Sequence, residues 1–380
     1  MNYSLTEDQE LAIESFKEFA EAEIAPLAAE IDDKERFPEE NIAGMGEIGF
    51  FGINIPEEYG GVGMGEQEYI LGVEEIAKHC ASTAITVAVH TSCCCWPILH
   101  YGTEEQKQKY LPKLATGEWI GGFAVTEPGA GTDVMGVRTK AVLKDDKYIL
   151  NGNKVFITNA KIGSLFIVLA VTDKEAGSKG FSTFLVEAGT PGFEFGSKEH
   201  KMGIRGSATY ELIFNDCAIP KENLLGKEGE GLKIALSTLD GGRIGVAAQA
   251  LGIAEGALAN AIEYTKQREQ FGKPISSFQY NQFKMADMKT RIEAARHLVY
   301  KAAWLRDNGQ PISEAAAMSK LFASEVARDV TQEAVQLMGG YGYSRDYPAE
   351  RLMRDAKITE IYEGTSEAMR MIIAGKMGLK

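Results

Sequence analysis

The spacing of apolar residues changes twice along the chain. In the first third, apolar side chains recur every three or four residues, which is typical of amphipathic helices. The middle third contains short runs rich in β-branched and aromatic residues, separated by Gly-rich, Asn-Gly and Asp/Lys turns, and these runs predict β-strands. Helical spacing returns after Gly231. The pattern therefore predicts an α+β protein with a helical domain at 1–120, a β domain at 121–230 and a helical domain at 231–380.

The most explicit local predictions concern one helix start and a set of strands. Thr6 and Gln9 have the spacing of a capping box, in which each side chain bonds the backbone N–H of the other residue. The strands are predicted in the runs YILNGNKVFITNA, SLFIVLAVTD, STFLVEAG and TYELIFNDCAI. The apolar face of the first helix is predicted to consist of Leu11, Ile13, Phe16, Phe19, Ala20 and Ile24.

Composition and charge narrow the classes of partner. The 380 residues are 44% hydrophobic, which is enough for a sizeable core, and their formal net charge is −14. Nucleic acid and anionic membranes repel an acidic chain, so we predict neither as a partner. The N-terminus lacks the basic, Ser/Arg-rich character of a transit peptide, and we expect no apolar run long enough to span a bilayer. The resulting prediction is a bacterial cytoplasmic location.

The cysteines do not have the pattern of a disulfide framework or a metal site. Their number is odd, three are adjacent, and no Cys or His spacing is typical of zinc ligation, so we predict no metal. Cys93, Cys94 and Cys95 are expected to pack as small hydrophobic side chains on a buried helix.

Two segments carry residues suited to binding a flat ring. FAVTEPGAGTD, residues 123–133, combines an apolar start with hydroxyls and with glycines that allow a ligand to approach the backbone closely. VFITNA adds Phe156 and Thr158, an aromatic ring and a hydroxyl at strand spacing. The first segment alone is more typical of an ordinary loop. Together they predict one wall of a ring-binding site.

One acid, Glu363, stands in the stretch IYEGTSE just ahead of a helical pattern. Ser, Thr and acidic residues favour helix starts, so the stretch suits a helix cap. It also suits a catalytic base on a hinge. Taken alone, the stretch favours the cap.

The motifs FAVTEPGAGTD, FITNA, REQFGKP, QLMGGYGY and IYEGTSE occur here in the order and spacing of the acyl-CoA dehydrogenase family. The whole chain resembles this family, and TLDGGRIGVAAQALGIAEGAL is most similar to its short-chain, butyryl-CoA-type members. The resemblance implies an N-terminal helical domain, a middle β-barrel-like domain and a C-terminal four-helix bundle. It further implies FAD-dependent oxidation of a short-chain acyl-CoA to its trans-2-enoyl thioester. Electrons would pass to an electron-transferring flavoprotein, and the assembly would be a homotetramer built as a dimer of dimers.

The resemblance also implies roles for individual residues. Glu363 would abstract the α-proton while N5 of FAD takes the β-hydride. The positions implied for substrate are Thr132, Asp240, Gly241, Gly242, Arg243, Tyr362 and Gly364. Those implied for FAD are Phe123, Val125, Thr126, Gly131, Thr132, Phe156, Ile157, Thr158, Thr365, Ser366 and Glu367, together with Arg268, Phe271, Gln279, Gln336, Leu337, Met338, Gly339 and Gly340, several of which would reach the FAD of a neighbouring subunit.

Departures from the family pattern narrow the substrate. Gly242 occupies the position where isovaleryl-type and long-chain-type members place their base, so Glu363 is the acid left at a family base position. Ala84 aligns with the arginine that pairs the second carboxylate in glutaryl-type members, and a dicarboxylic substrate is therefore not expected. Phe156 replaces the tryptophan of many relatives and lacks an indole N–H. A dehydrogenase of short branched or cyclic acyl-CoA and a non-catalytic flavoprotein that binds CoA thioesters remain alternatives.

Overall fold

The computed structural model describes residues 5–379. Residues 1–4 of the predicted first domain and residue 380 of the predicted last domain lie outside the described residues. Helices precede and follow a β-sheet, in the order predicted from the apolar spacing. The last helix of the first part ends at Ala115 and the first strand begins at Gly121. The sheet ends at Leu225, and the following helix begins at Gly231. The domain boundaries at 120 and 230 stay predictions.

The first helix starts as predicted, but one residue of its apolar face is exposed. Thr6 Oγ1 accepts from Gln9 N–H at 3.2 Å, and Gln9 Oε1 accepts from Thr6 N–H at 3.1 Å. The prediction was wrong for Leu11, which is 65% exposed. It lies five residues before the buried Phe16, about 140° around the helix from it. The helices of this part are α1 Glu7–Phe19, α2 Ala28–Lys34, α3 Glu39–Glu47, α4 Glu66–His79, α5 Ala81–Val89, α6 Trp96–Tyr101 and α7 Glu104–Ala115.

A π-helical turn, His90–Cys95, joins α5 to α6. Cys93, Cys94 and Cys95 lie in it as free, fully buried thiols, which confirms the prediction that they are buried. A π-helical turn holds more residues than an α-helical turn, and such turns are frequent at functional sites. The segment is therefore a structural irregularity, and its Cys93 lies next to Glu363.

The middle part is a mixed sheet in the order β6-β7-β3-β2-β4-β5-β8, with β1 paired in parallel to β4. The four predicted runs match β3, β4, β5 and β7 to within one or two residues at each end, which confirms them. The shorter β1, β2, β6 and β8 were not predicted. The strands are β1 Gly121–Ala124, β2 Lys140–Lys144, β3 Lys147–Thr158, β4 Leu165–Val171, β5 Phe181–Glu187, β6 Phe193–Lys198, β7 Thr209–Pro220 and β8 Leu224–Leu225.

The last part is a helical bundle built around one long helix. This helix, α8, packs against α4, α9, α10 and α12, and its central residues belong to the largest apolar core. A short hairpin, β9 Glu269–Gln270 with β10 Lys273–Pro274, connects α8 to α9. The helices are α8 Gly231–Gln267, α9 Gln279–Asp307, α10 Ser313–Met338, α11 Gly340–Tyr343, α12 Ala349–Thr359 and α13 Ser366–Lys376.

Two helical segments, Ala81–Tyr101 and Gly231–Gln267, are long and apolar enough to cross a membrane by length and composition alone. This corrects the expectation that no apolar run reaches such a length. Most of each segment is buried inside the protein, as is normal for the core helices of a globular fold. Their apolar character is explained by this packing.

Candidate active site

Glu363 lies in the turn between α12 and α13, and it is not the helix cap. Thr365 is the N-cap of α13, and its hydroxyl accepts from Ala368 N–H at 3.2 Å. Glu363 has φ +54° and Gly364 has φ +106°. A left-handed backbone is uncommon for a residue with a Cβ and is often found at functional sites. Capping therefore does not explain why an acid stands at position 363.

The Glu363 carboxyl group is enclosed and largely unpartnered. Within residues 5–379 its Oε2 atom is buried and has no hydrogen-bond partner. Its Oε1 atom lies 3.8 Å from Cys93 Sγ, a long and weak contact. Burial raises the pKa of Glu363 to about 7, and the nearby charges of Arg243 and Lys320 limit the rise. The group is therefore half-ionised near neutrality and free to accept a proton.

The opposite wall of this space is a glycine of α8. A Cβ added at Gly242 would lie 2.1 Å from Glu363 Oε2 and 3.0 Å from Cys93 Sγ. Only a residue without a side chain leaves room there for the Glu363 carboxyl group. The next residue, Arg243, donates from Nε to the Glu363 carbonyl at 3.1 Å and from Nη1 to Asp240 at 2.5 Å.

Most of the residues implied for substrate surround Glu363. Tyr362 donates from its hydroxyl to Gln249, whose side chain donates to the Ala81 carbonyl at 2.8 Å. Gly241 faces elsewhere, because a Cβ there would lie 2.0 Å from Arg306 Nη1. Thr132 is exposed in the loop after β1. Contact of any of these residues with substrate stays a prediction.

The two segments of the predicted ring-binding wall are adjacent. Val155 N–H donates to the Thr126 carbonyl at 2.9 Å, which joins the end of β3 to the segment after β1. The pairing of β3 with β7 is irregular between Lys154 and Ile157, and Phe156 there has φ +58°. The irregularity leaves the Phe156 ring 62% exposed while Ile157 is buried. An aromatic face is thereby presented to solvent on a strained strand end.

Sequence reasoning missed a buried ion pair behind this wall. Lys154 is fully buried and donates to Glu127 Oε1 and to the Val125 carbonyl, each at 2.9 Å. The Glu127 carboxylate also accepts from the backbone N–H of Arg138 at 2.7 Å and of Thr139 at 2.9 Å. Burial lowers the pKa of Lys154 to about 8, against the opposing effect of Glu127. The pair fixes the ends of the loop that carries Gly131 and Thr132.

The π-helical turn connects this wall to Glu363. On one side Cys93 contacts Glu363, and on the other a Cβ at Gly121 would lie 2.4 Å from Cys94. Gly121 N–H donates to His90 Nδ1 at 3.0 Å. Burial lowers the pKa of His90 to about 4, so the ring is neutral and this nitrogen can accept. The start of β1 is thus held at a set position relative to the acid.

A second group of residues implied for FAD lines a separate surface cavity. The cavity has a volume of about 540 Å³, and Arg268, Leu337, Met338, Gly339 and Gly340 are among its lining residues. Glu363 does not line it. The Arg268 side chain is exposed and forms no ion pair within the described part of the chain. It is suited to binding an anionic group.

The remaining residues implied for FAD lie on the protein surface or at the start of α13. Phe271 is 93% exposed in the β9–β10 hairpin, and Gln279 and Gln336 are exposed on α9 and α10. Ser366 Oγ is buried and without a hydrogen-bond partner among residues 5–379. Glu367 lies in the first turn of α13, where the helix dipole stabilises a negative charge. The FAD contacts of all these residues stay predictions.

The two groups fit the two parts of a flavin dinucleotide. Phe156 offers an aromatic face, the loop at 128–132 offers two exposed glycines and the Thr132 hydroxyl, and Arg268 offers a cation without an ion pair among residues 5–379. A flat ring system and a pyrophosphate require these kinds of contact. The buried acid, whose Oε2 atom has no partner within residues 5–379, is suited to accepting a proton.

The whole chain matches domains of one enzyme family. The N-terminal, middle and C-terminal domains of acyl-CoA dehydrogenase match residues 6–118, 122–217 and 229–378. The chain therefore belongs to the acyl-CoA dehydrogenase family, and it is an FAD-dependent enzyme that dehydrogenates acyl-CoA thioesters. This confirms the fold, the enzyme class and the cofactor predicted from the motifs.

Individual relatives are similar over their full length. The chain is 54% identical over 377 residues to the short-chain specific acyl-CoA dehydrogenase of Clostridium acetobutylicum, covering 99% of this chain and all of that one. It is 52% identical to butyryl-CoA dehydrogenase from Megasphaera elsdenii, with a TM-score of 0.98 and coverage of 99% and 100%. A chain from a solved structure described as the electron transferring flavoprotein of Acidaminococcus fermentans, in work towards a mechanism of flavin-based electron bifurcation, is 58% identical, with a TM-score of 0.98 and 99% coverage of both chains.

Proposed function

We propose that the substrate is a short-chain acyl-CoA such as butyryl-CoA and that Glu363 is the base. The observation that carries this proposal is the buried Oε2 atom of Glu363, which has no partner within residues 5–379 and faces the space beside Gly242. The α-proton of a thioester is weakly acidic, so its removal requires a base held close to it. A carboxyl group with a pKa of about 7 is suited to that task near neutral pH.

The mechanism uses residues that fix the Glu363 turn as well as the acid itself. Arg243 holds the Glu363 carbonyl and Lys320 holds the Gly364 carbonyl. The backbone N–H of Glu363 is then available to polarise the thioester carbonyl, as the family resemblance implies. When bound, FAD supplies the acceptor for the β-hydride at N5. Bound acyl chain excludes water from the carboxyl group and keeps its pKa high until the proton is taken.

A preference for short chains is supported by the packing behind Gly242. Tyr69 is fully buried, and a Cβ added at Gly245 would lie 2.5 Å from its hydroxyl. Gly242 and Gly245 lie on the same side of α8, and residues become more buried from Asp240 to Gln249. The Tyr69 ring thus occupies the space into which a longer acyl chain would extend. The names of the C. acetobutylicum and M. elsdenii relatives agree with this limit.

A dicarboxylic substrate is disfavoured by Ala84. The residue is fully buried in the apolar core, and it supplies no cation for a second carboxylate. An unpaired charge buried there would be costly.

The electron acceptor and the assembly are parts of the same proposal. An electron-transferring flavoprotein is the proposed acceptor, supported by the similar chain from the structure described as the electron transferring flavoprotein of A. fermentans. A homotetramer built as a dimer of dimers is supported by the separation of the two groups of FAD residues and by the exposed Phe271. The cytoplasmic location stays a prediction.

An anaerobic substrate panel tests the proposed specificity. Bleaching of the bound flavin should be fastest with butyryl-CoA, slower with isobutyryl-CoA and octanoyl-CoA, and absent with glutaryl-CoA. Each additional methylene that the pocket admits would add about 0.8 kcal/mol of binding. A kcat/KM that keeps rising from butyryl-CoA to lauroyl-CoA would contradict the short-chain assignment, and faster isobutyryl-CoA turnover would favour the branched-chain alternative. Purified electron-transferring flavoprotein should reoxidise the bleached enzyme.

A further inference from the structure

A second cation beside the Glu363 turn has no evident role in binding substrate or cofactor. Lys320, on α10, is fully buried, and its Nζ donates to the Gly364 carbonyl at 2.6 Å. Within residues 5–379 no carboxylate lies within ion-pair distance of it. A buried cation without a paired anion is costly and is usually retained for a specific electrostatic task.

The bond from Lys320 is one half of a clamp on the turn. Arg243 holds the carbonyl of Glu363 from α8, and Lys320 holds the next carbonyl, that of Gly364, from α10. The two residues of the turn have φ +54° and +106°, so their backbone is not in a conformation that the chain prefers by itself. Within residues 5–379 neither cation donates a hydrogen bond to the Glu363 carboxyl group, whose Oε2 atom has no partner. The clamp therefore holds the backbone of the acid without occupying its oxygens.

We propose that Lys320 is a positioning residue for α-proton abstraction. Its hydrogen bond to the Gly364 carbonyl holds Glu363 and its backbone N–H in the productive conformation, and its positive charge favours the ionised carboxylate. The inference rests on the proposed role of Glu363 as base. A purely structural lysine would stabilise the turn but would leave the protonation of Glu363 unchanged.

Several groups surround Glu363 and contribute to its charge balance. Lys320 and Arg243 are the nearby cations, and both lower the pKa of the Glu363 carboxyl group. The same interaction opposes the effect of burial, which lowers the pKa of Lys320 to about 8. The charged or titratable groups facing the turn are Arg243 and Asp240 on α8, Lys320 on α10, Cys93 on the π-helical turn and Tyr69 on α4, with Glu360, Tyr362 and Glu367 on its own segment.

Two substitutions separate the hydrogen bond from the charge. Lys320→Met removes both, whereas Lys320→Gln retains a donor for the Gly364 carbonyl and removes the charge. Lys357→Met is the matched control, because Lys357 bonds Glu360 beside the same turn but is half-exposed. FAD-loaded enzymes are mixed with butyryl-CoA in a stopped-flow instrument across pH, and the flavin reduction rate gives a midpoint and a plateau for each protein.

The expected results differ between the variants. In Lys320→Met the midpoint should rise by about 1 to 3 pH units, the size expected for loss of a nearby opposite charge, and the plateau rate should fall by at least about tenfold. Lys320→Gln should show the same rise in midpoint with a plateau close to that of the parent. Lys357→Met should match the parent in both quantities.

Three outcomes would overturn the inference. One is a parental midpoint and plateau in Lys320→Met. A second is an unchanged midpoint in Lys320→Gln, which decides the matter if the Met variant does not fold. The third is loss of FAD from both variants while Lys357→Met behaves as the parent, because Lys320 would then be structural. Failure of the proposed base has a different signature, since Glu363→Gln would then reduce its flavin at the parental rate.

Discussion

Glu363 combines a strained backbone with a buried acid, and neither feature is expected of a residue that only starts a helix. A non-glycine residue in a sparsely populated backbone region costs on the order of 1–3 kcal/mol. The carboxyl group adds a desolvation cost, which is visible in its raised pKa. The sequence left open whether Glu363 caps a helix or acts as a base. Thr365 performs the capping through its hydrogen bond from Ala368 N–H, so Glu363 is not needed as the cap.

The raised pKa predicts the pH dependence of the half-reaction. Glu363 must be ionised to accept a proton, so kcat/KM for butyryl-CoA should increase with pH through a midpoint near 7, the pKa of the free enzyme's base. Stopped-flow flavin bleaching at a series of pH values measures this. A midpoint near the ordinary glutamate pKa of 4.5 would mean that the acid is solvated in solution.

Replacing the acid by its amide tests its role directly. Glu363→Gln preserves the shape and the backbone N–H but removes the proton acceptor. FAD content and acyl-CoA binding should persist, while flavin reduction should fall by several orders of magnitude. If Glu363 stabilised only the turn, the variant would bleach at close to the parental rate.

The same variant should also raise the stability of the protein, by an amount that depends on pH. The folded-state pKa of Glu363, about 7, is above the ordinary value of 4.5, so ionisation destabilises the folded protein as pH rises through 7. Glu363→Gln should therefore raise Tm more at pH 8 than at pH 5, with an upper limit of about 3 kcal/mol in the free energy of unfolding. Calorimetry of both proteins at the two pH values measures the difference.

Gly242 offers a second place for a carboxylate. In a Glu363→Gly background the space beside residue 242 is empty, and Gly242→Glu should restore part of the flavin reduction, because its Cβ lies where the Glu363 carboxyl group was. Gly242→Gln in the same background is the control and should stay inactive. Equal rates for the Glu and Gln double variants would show that a carboxylate at 242 cannot reach the α-carbon.

At the scale of elements, the sequence predicted those strands and helices whose positions are determined by nearby residues. The long strands β3, β4, β5 and β7 were predicted because their apolar runs are bounded by strong turn signals. The shorter β1 and β6 were missed, since four to six residues carry little periodic signal. The pairing partner of β1, β4, is also distant in sequence. Leu11 was wrongly assigned to the buried face of α1. The spacing of apolar residues within one helix does not specify which side of it packs against the rest of the protein.

The parts of the site that sequence reasoning missed are contacts between elements. Glu127 and Lys154 form their ion pair across 27 residues, and Cys93 meets Glu363 across 270. Lys320 reaches the turn only because α10 packs beside it. Nothing in the local pattern distinguishes these side chains from ordinary helix or strand residues. Family resemblance located Glu363, whereas the residues that surround and hold it required the fold.

The packing of α4 on α8 predicts how chain length is limited. Tyr69→Ala should remove the ring that abuts Gly245 and raise the octanoyl-CoA to butyryl-CoA ratio of kcat/KM by at least about tenfold, given about 0.8 kcal/mol for each methylene newly buried. Tyr69→Phe keeps the ring and loses the hydroxyl, which bonds the Ala88 carbonyl and Ser92, so its ratio should match the parent. An unchanged ratio in Tyr69→Ala would locate the end of the acyl pocket elsewhere.

At the scale of the whole molecule, the residues predicted to bind FAD fall into two groups that do not share one cavity. Phe156 and the loop after β1 form one group, and the cavity lined by Arg268 and Gly339 forms the other. The proposed assembly would complete each FAD site with the second group of a neighbouring subunit. Cofactor binding and association would then be thermodynamically linked, each stabilising the other.

Arg268→Ala tests that linkage. Loss of the unpaired cation should increase the Kd for FAD and shift the protein towards smaller assemblies, and added FAD should partly reverse the shift. Arg345→Ala, a change at an exposed arginine paired with Asp33, is the control and should leave both properties unaltered. A variant that becomes monomeric yet holds FAD as tightly as the parent would refute the shared site.

The contacts of the π-helical turn His90–Cys95 with the candidate active site depend on the number of residues in the turn. An α-helix advances about 100° per residue, so deleting one residue from this turn would rotate everything on one side of it relative to the other. Cys93 and Cys94 could then no longer contact Glu363 and Gly121 at the same time. Exchange of a single cysteine for another small residue changes volume by a few atoms and keeps that register. Evolution along this lineage is therefore expected to tolerate substitutions in the turn far more readily than insertions or deletions.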